Sequence, residues 1–130
     1  MVRLICVNSV NRVHSKIEHP QVSDIETIFT LIFGEWVGRI DMYSTDNWSL
    51  VLYVDNGRFH LAVVNDESAA FFAQNSKQDN TEETIEIAWT VVPKSEVLAD
   101  QDLVRRCLLA FYNESRPYNG VAWKKIVMEG

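Results

Sequence analysis

Apolar residues recur along this chain with two distinct periods. Ile25, Ile28, Phe29, Ile32, Phe33 and Trp36 follow at three- and four-residue spacing, which places them on one face of a helix. Ser23 with Glu26 three residues on is a capping-box pattern for its start, and Gly34 and Gly38 bracket its end. A second helix is predicted from 95 or 100 to 113. Leu103, Val104, Cys107, Leu108 and Phe111 form its apolar stripe, and Arg105, Arg106 and Asn113 face away.

Between the helices the period falls to two. Ile40 and Met42 alternate with Asp41 and Tyr43, and Thr45-Asp46-Asn47 makes a turn. Trp48, Leu50, Leu52 and Val54 alternate with Ser49, Val51 and Tyr53. Asp55-Asn56-Gly57 follows, and Asn-Gly is a strong hairpin signal because both residues tolerate positive φ. Phe59, Leu61 and Val63 then alternate with Arg58, His60 and Ala62, completing an antiparallel meander. Residues 2–7 read as a short strand. Residues 8–21 show no period, with Val13 and Ile17 alone among polar neighbours and Pro20 closing the segment. Residues 65–83 read as a long polar loop, anchored to the core by the apolar cluster at 69–73. Ile85, Ile87, Trp89 and Val91 alternate with Thr84, Glu86, Ala88 and Thr90 in a fourth strand that Pro93 ends. Arg116-Pro117 and Asn119-Gly120 break the chain before a last strand at 121–127, placed at a sheet edge.

The expected architecture is one α+β domain over residues 1–130. An antiparallel β-sheet, a meander of about five to six strands, is packed on one face by two amphipathic helices. The opposite face mixes Asp41, Ser49, Val51, Tyr53, His60, Ala62, Glu86 and Thr90. An antiparallel sheet can leave such a face partly wet, where a partner can dock.

Composition narrows the function classes. The chain has 130 residues, 47% of them apolar and 23% charged, enough for a continuous core and unlike a disordered chain. Its 12 basic and 18 acidic residues give a net charge of −6, which argues against direct nucleic-acid binding and suits a basic partner. No stretch approaches the roughly 20 apolar residues needed to span a bilayer, and the N-terminal apolar run is too short for a signal-peptide core. A cytoplasmic protein with no membrane association is expected. Cys6 and Cys107 both fall among apolar positions and read as buried small hydrophobes, without a disulfide.

Catalytic patterns are sparse. His14 and His19 are five apart, a spacing that fits neither helical nor strand pairing of metal ligands, and no Cys-x-x-Cys occurs. No metal, cofactor or catalytic residue is assigned. The pattern offers His60 beside Glu86 or Asp41 as the one polar constellation for a ligand-binding or enzymatic domain, with a pocket between sheet and helices. Asp66, Glu67, Asp79, Glu82, Glu83 and Glu86 stand against the single base Lys77, an acidic segment suited to a basic surface. Trp36 and Trp89 follow the core period. Trp48 and Trp123 sit near strand ends, where a partly exposed aromatic can anchor an interface. The expected contact residues are therefore the six acidic ones with Trp48 and Tyr53. A homodimer through an edge strand, 2–7 or 121–127, is also open.

One set of scaffold features, with no catalytic signature among them, carries a family resemblance. Phe33-Gly34-Glu35-Trp36-Val37-Gly38-Arg39-Ile40-Asp41-Met42-Tyr43-Ser44 leads into a Leu-rich strand and an Asn-Gly turn. Phe111-Tyr112, Arg116-Pro117 and Val121-Ala122-Trp123 follow downstream. This order, over roughly residues 22–125, resembles the immunity-protein family called Imm one, of bacterial polymorphic toxin and contact-dependent growth inhibition systems. The resemblance implies a small cytosolic α+β protein made beside a toxin. Such a protein binds the toxin domain and blocks it without doing chemistry. The toxins of that family often attack nucleic acid, as nucleases or cytosine deaminases. The first 20 residues and the acidic segment carry no motif of that family.

Overall fold

The computed structural model describes residues 1–10, 14–65, 69–75 and 83–127. The strands are β1 (Val2–Ser9), β2 (His14–Glu18), β3 (Val37–Ser44), β4 (Ser49–Asp55), β5 (Arg58–Val64), β6 (Ala69–Ala73), β7 (Thr84–Ile87), β8 (Thr90–Pro93) and β9 (Trp123–Val127). The helices are α1 (Val22–Ile32) and α2 (Gln101–Glu114), and one 3-10 turn spans Lys94–Glu96. The fold is α+β. Seven strands pair antiparallel in the order β2-β1-β3-β4-β5-β6-β9, and β7 and β8 form a separate two-stranded sheet.

The meander follows the alternation. Leu50, Leu52 and Val54 of β4 lie opposite Met42, Ile40 and Gly38 of β3, and opposite Val63, Leu61 and Phe59 of β5. A one-residue slip would turn this whole apolar set outward, so the register is strongly fixed. The β4–β5 turn places both Asn56 (φ 46°) and Gly57 (φ 88°) in the left-handed region, as the Asn-Gly signal requires.

Both helices cover the same face. Ile25, Ile28, Phe29 and Ile32 of α1 join Val104, Cys107, Leu108 and Phe111 of α2 in one cluster with the inward residues of β1, β3, β4 and β5. The α1 start differs from the Ser23–Glu26 expectation. The Gln21 N–H donates to Asp24 Oδ2 at 2.7 Å, so Gln21 rather than Ser23 is the N-cap and the helix begins at Val22. At α2 the Asp100 side chain accepts from the Leu103 N–H at 3.2 Å, and Ser115 ends the helix at φ 56°. Trp36 lies past α1, whose last residue is Ile32.

Four departures have physical causes. The segment at 8–21 holds the end of β1 and an edge strand, β2, whose single inward residue Ile17 leaves no alternation to read. The cluster at 69–73 is strand β6 rather than a loop anchor. It is sandwiched between β5 and β9, with Ala69 and Ala73 buried on one face and Ala70 on the other. Alanine has weak strand preference and such a strand shows no period of two, so the pattern hid it. The fourth strand is broken at Ala88 (φ 53°) into the β7–β8 hairpin and lies outside the main sheet. Lastly, β1 lies between β2 and β3, so residues 2–7 are no free edge; β2 and β9 are the edges.

Gly38 shows how tight the β1–β3 seam is. A Cβ there would overlap both the Trp36 ring and the carbonyl oxygen of Asn8. Gly38→Ala should therefore lower stability by about 1–3 kcal/mol, the usual cost of overpacking. Chemical denaturation checks this; an unchanged midpoint would mean that the seam has slack.

Candidate binding face

The sheet face away from the helices carries a row of polar and aromatic side chains across three central strands. Arg39 on β3 lies opposite Tyr53 on β4, which lies opposite His60 on β5. Asp41, two residues along β3, points to the same side because strand side chains alternate. Asp41 is only 4% exposed, and its carboxylate is satisfied by Arg39. Arg39 Nε donates to both carboxylate oxygens at 3.0 Å, and Nη2 to Oδ1 at 2.8 Å. Arg39 Nη1 donates to the Tyr53 hydroxyl at 3.2 Å, and the guanidinium lies 5.4 Å from the Tyr53 ring centre. The Asp41 hydrogen bond pushes the Arg39 pKa above its ordinary value, outweighing burial. Tyr43 flanks the pair with Arg3 over its ring, and burial, then the Asp41 charge, pushes its phenol up.

The β7–β8 hairpin stands beside this row. Its tip is tethered by a hydrogen bond from the Ala88 N–H to Asp55 Oδ2 at 2.9 Å. Trp89 at the tip is 50% exposed and meets the Tyr53 ring edge-on at 6.4 Å. Trp89 is thus a surface residue. The period of two pointed inward, but the left-handed Ala88 resets the alternation at the turn. At the hairpin's base, His60 Nε2 and Glu96 Oε1 are 2.9 Å apart, at 6% and 5% exposure. His60 is therefore partnered by Glu96, not by Glu86 or Asp41. Tyr53 stands between the His60 and Arg39 positions, and Glu86 is exposed on β7 opposite Val91.

Of the expected contact residues, Tyr53, Trp48, Glu83 and Glu86 are among the described residues. Tyr53 is on the open face. Trp48 is on the helix side, stacked on Phe71 at 5.9 Å beneath the Arg116 guanidinium at 4.5 Å. Arg116 also pairs with Asp46 at 2.7 Å; Ser44 and Arg116 together lower the Asp46 pKa to about 2. Glu83 is exposed and pairs with Lys94 at 3.3 Å. Asp66, Glu67, Asp79 and Glu82 lie outside the described residues.

Arg39, Trp89 and Glu96 are the site residues that sequence reasoning missed. Arg39-x-Asp41 inside a strand was a usable signal, since residues two apart share a face. Glu96 gave none, because 36 residues separate it from His60. Cys107 is buried, and burial pushes its thiol up to about 12, which keeps it protonated and unreactive. Among the described residues no group of three or more His, Cys, Asp or Glu is placed to hold a metal ion. No helix among them is long and apolar enough to cross a membrane.

No protein-family model matches the chain, and no curated protein matches it. Among solved structures it is similar to the crystal structure of a hypothetical protein from Neisseria gonorrhoeae. The two share 14% identity with a TM-score of 0.63, over 91% of each chain. That likeness is one of fold.

Proposed function

We propose that this chain is an immunity protein. It binds a cognate bacterial toxin domain one to one in the cytoplasm and neutralises it by occupying its surface, with no reaction and no cofactor of its own. The observation that carries the reading is the open-face patch of Arg39, Tyr43, Tyr53 and Trp89. Arg, Tyr and Trp dominate the energetics of protein interfaces. Asp41 holds Arg39 and the Asp55 tether fixes the hairpin tip that carries Trp89, so little conformational freedom is lost on binding. The sequence resemblance to the Imm one family supports the partner class. The net charge of −6 favours a partner with a basic surface, the kind of surface that a nuclease or deaminase turns toward nucleic acid.

Glu83 and Glu86, exposed on and beside the hairpin, then serve as steering charges at the rim. Glu83→Lys with Glu86→Lys should slow association several-fold at low salt and leave dissociation nearly unchanged, read by surface plasmon resonance. An association rate indifferent to both would remove the acidic contribution.

The functional test is growth. Cells expressing the protein encoded beside this chain should stop dividing, and co-expression of this chain should restore them. A neighbour that is harmless when expressed alone would refute the immunity reading.

The alternative of a pocket between sheet and helices finds less support. That layer is filled by Phe59, Phe111, Leu52, Leu61 and Ile32, all fully buried.

A further inference from the structure

Strand β2 is an outer edge of the seven-stranded sheet, and its hydrogen bonds to β1 fix which way each backbone group points. The His19 N–H donates to the Arg3 carbonyl at 2.9 Å, so position 19 faces β1. In an antiparallel ladder every second residue faces the same neighbour. Ser15 and Ile17, opposite Val7 and Ile5, therefore face β1 as well. His14, Lys16 and Glu18 turn their N–H and C=O groups the other way, toward the open edge. Among the described residues no strand pairs there.

The side chains divide by face. Lys16 lies in register with Cys6 and Asp41, which puts it and Glu18 on the open face of the sheet. Both are exposed, and neither makes an ion pair among the described residues. Ile17, opposite the fully buried Ile5, is on the helix side and partly buried against the core.

An unpaired edge is a template for another strand, and a lone lysine would blunt it. Here a glutamate follows two residues on, and the two charges make the edge complementary to itself. A second copy can pair antiparallel only where outward-facing residues oppose each other. A two-fold axis at Lys16 sets Lys16 against its own copy, and an axis at Glu18 does the same for Glu18. An axis at position 15 sets Lys16 against His14. Like charges directly opposite are unfavourable. An axis at Ile17 sets Lys16 of each copy against Glu18 of the other. It also brings the two Ile17 side chains together in the closely spaced, non-hydrogen-bonded pair. The other edge offers no such match: β9 reads Trp123-Lys124-Lys125-Ile126-Val127, two bases and no acid.

We propose that two copies of this chain associate through β2, antiparallel about a two-fold axis at Ile17, so that one sheet runs through both. Each Lys16–Glu18 pair exchanges two main-chain hydrogen bonds, about four in all, beside two ion pairs. His19, at φ 52°, and Pro20, which has no N–H, end the match. The same patch serves both copies, so association through this edge closes at the dimer. The interface is short, so dimer and monomer exchange with concentration. Strands β1 and β3 separate β2 from β4, which leaves Tyr53 and Trp89 uncovered. The dimer does not rest on the toxin reading.

The test is sedimentation velocity of the full chain at rising concentration, up to about 1 mM. The wild type should pass from monomer to dimer. Lys16→Glu and Glu18→Lys should each weaken the dimer at least about tenfold, because each turns two attractive pairs into repulsive ones. An equimolar mixture of the two variants should restore it, since one chain then carries acids at both positions and the other bases. A wild type that stays monomeric, single variants that associate like the wild type, or a mixture no better than its parts would each overturn the proposal. The edge would then be left to solvent or to a strand of another protein.

Discussion

Replacing Phe59 by alanine will lower the free energy of unfolding by about 3–5 kcal/mol, the usual cost of emptying a fully buried phenylalanine site. Phe59 is 0% exposed and sits where three parts of the fold meet. Its ring is edge-on to Phe33 at 5.8 Å, just past the end of α1. Its backbone exchanges two hydrogen bonds of 2.8 Å with Leu98, which ties the segment before α2 to the sheet. Its strand neighbour opposite is Val54 in the middle of the core. The cavity therefore opens between elements that cannot collapse independently, which puts the loss at the upper end of the range. Domains of this size are stable by only about 5–15 kcal/mol, so the variant should be partly unfolded at physiological temperature. Urea unfolding followed by tryptophan fluorescence measures the change. Arg58→Ala, one residue away on the surface, is the control and should move stability by less than about 0.5 kcal/mol. A loss below about 1 kcal/mol for Phe59→Ala would mean that the β5–α1 junction is not packed as described.

Trp89→Ala will weaken binding to the proposed toxin partner by at least about 2 kcal/mol, roughly thirtyfold, while hardly altering stability. The two halves of that expectation have separate causes. Half of the Trp89 surface is free, so folding gains little from it and an interface can gain much. Its position is fixed by the Asp55 bond to Ala88 and by edge-on contact with Tyr53, so binding need not order it. Tyr53→Ala should cost affinity similarly. Because the two rings touch, the double variant should lose less than the sum of the single losses, with a coupling of about 0.5 kcal/mol or more. Binding by either single variant at wild-type strength would move the interface away from this patch.

The sequence reveals the fold where one face of an element is buried and the other wet. The β3–β5 meander and both helices meet that condition, and their apolar sets appear at the expected positions in the core. Elements buried on both faces, or on neither, escape it. Ala-rich β6 is the first kind and edge strand β2 the second. The site was legible only in part. Tyr53 was placed on the open face because β4 is a regular strand. Trp89 was misplaced because one left-handed residue, Ala88, changes which face the next side chain occupies. Trp48 was grouped with Tyr53 although the two are five apart and so fall on opposite faces of the sheet. The His60–Glu96 pair forms only when the hairpin folds back over the sheet, a long-range event that local pattern does not encode.

The most direct measurement is size exclusion of this chain mixed with the protein encoded beside it, run for the wild type and for the Tyr53→Ala, Trp89→Ala double variant. The account predicts a stable one-to-one complex with the wild type and two separate peaks with the variant, which should still elute, when run alone, where the folded wild type does. No complex with the wild type, or an undiminished one with the variant, would contradict the claim that the open face of the sheet is a toxin-binding surface.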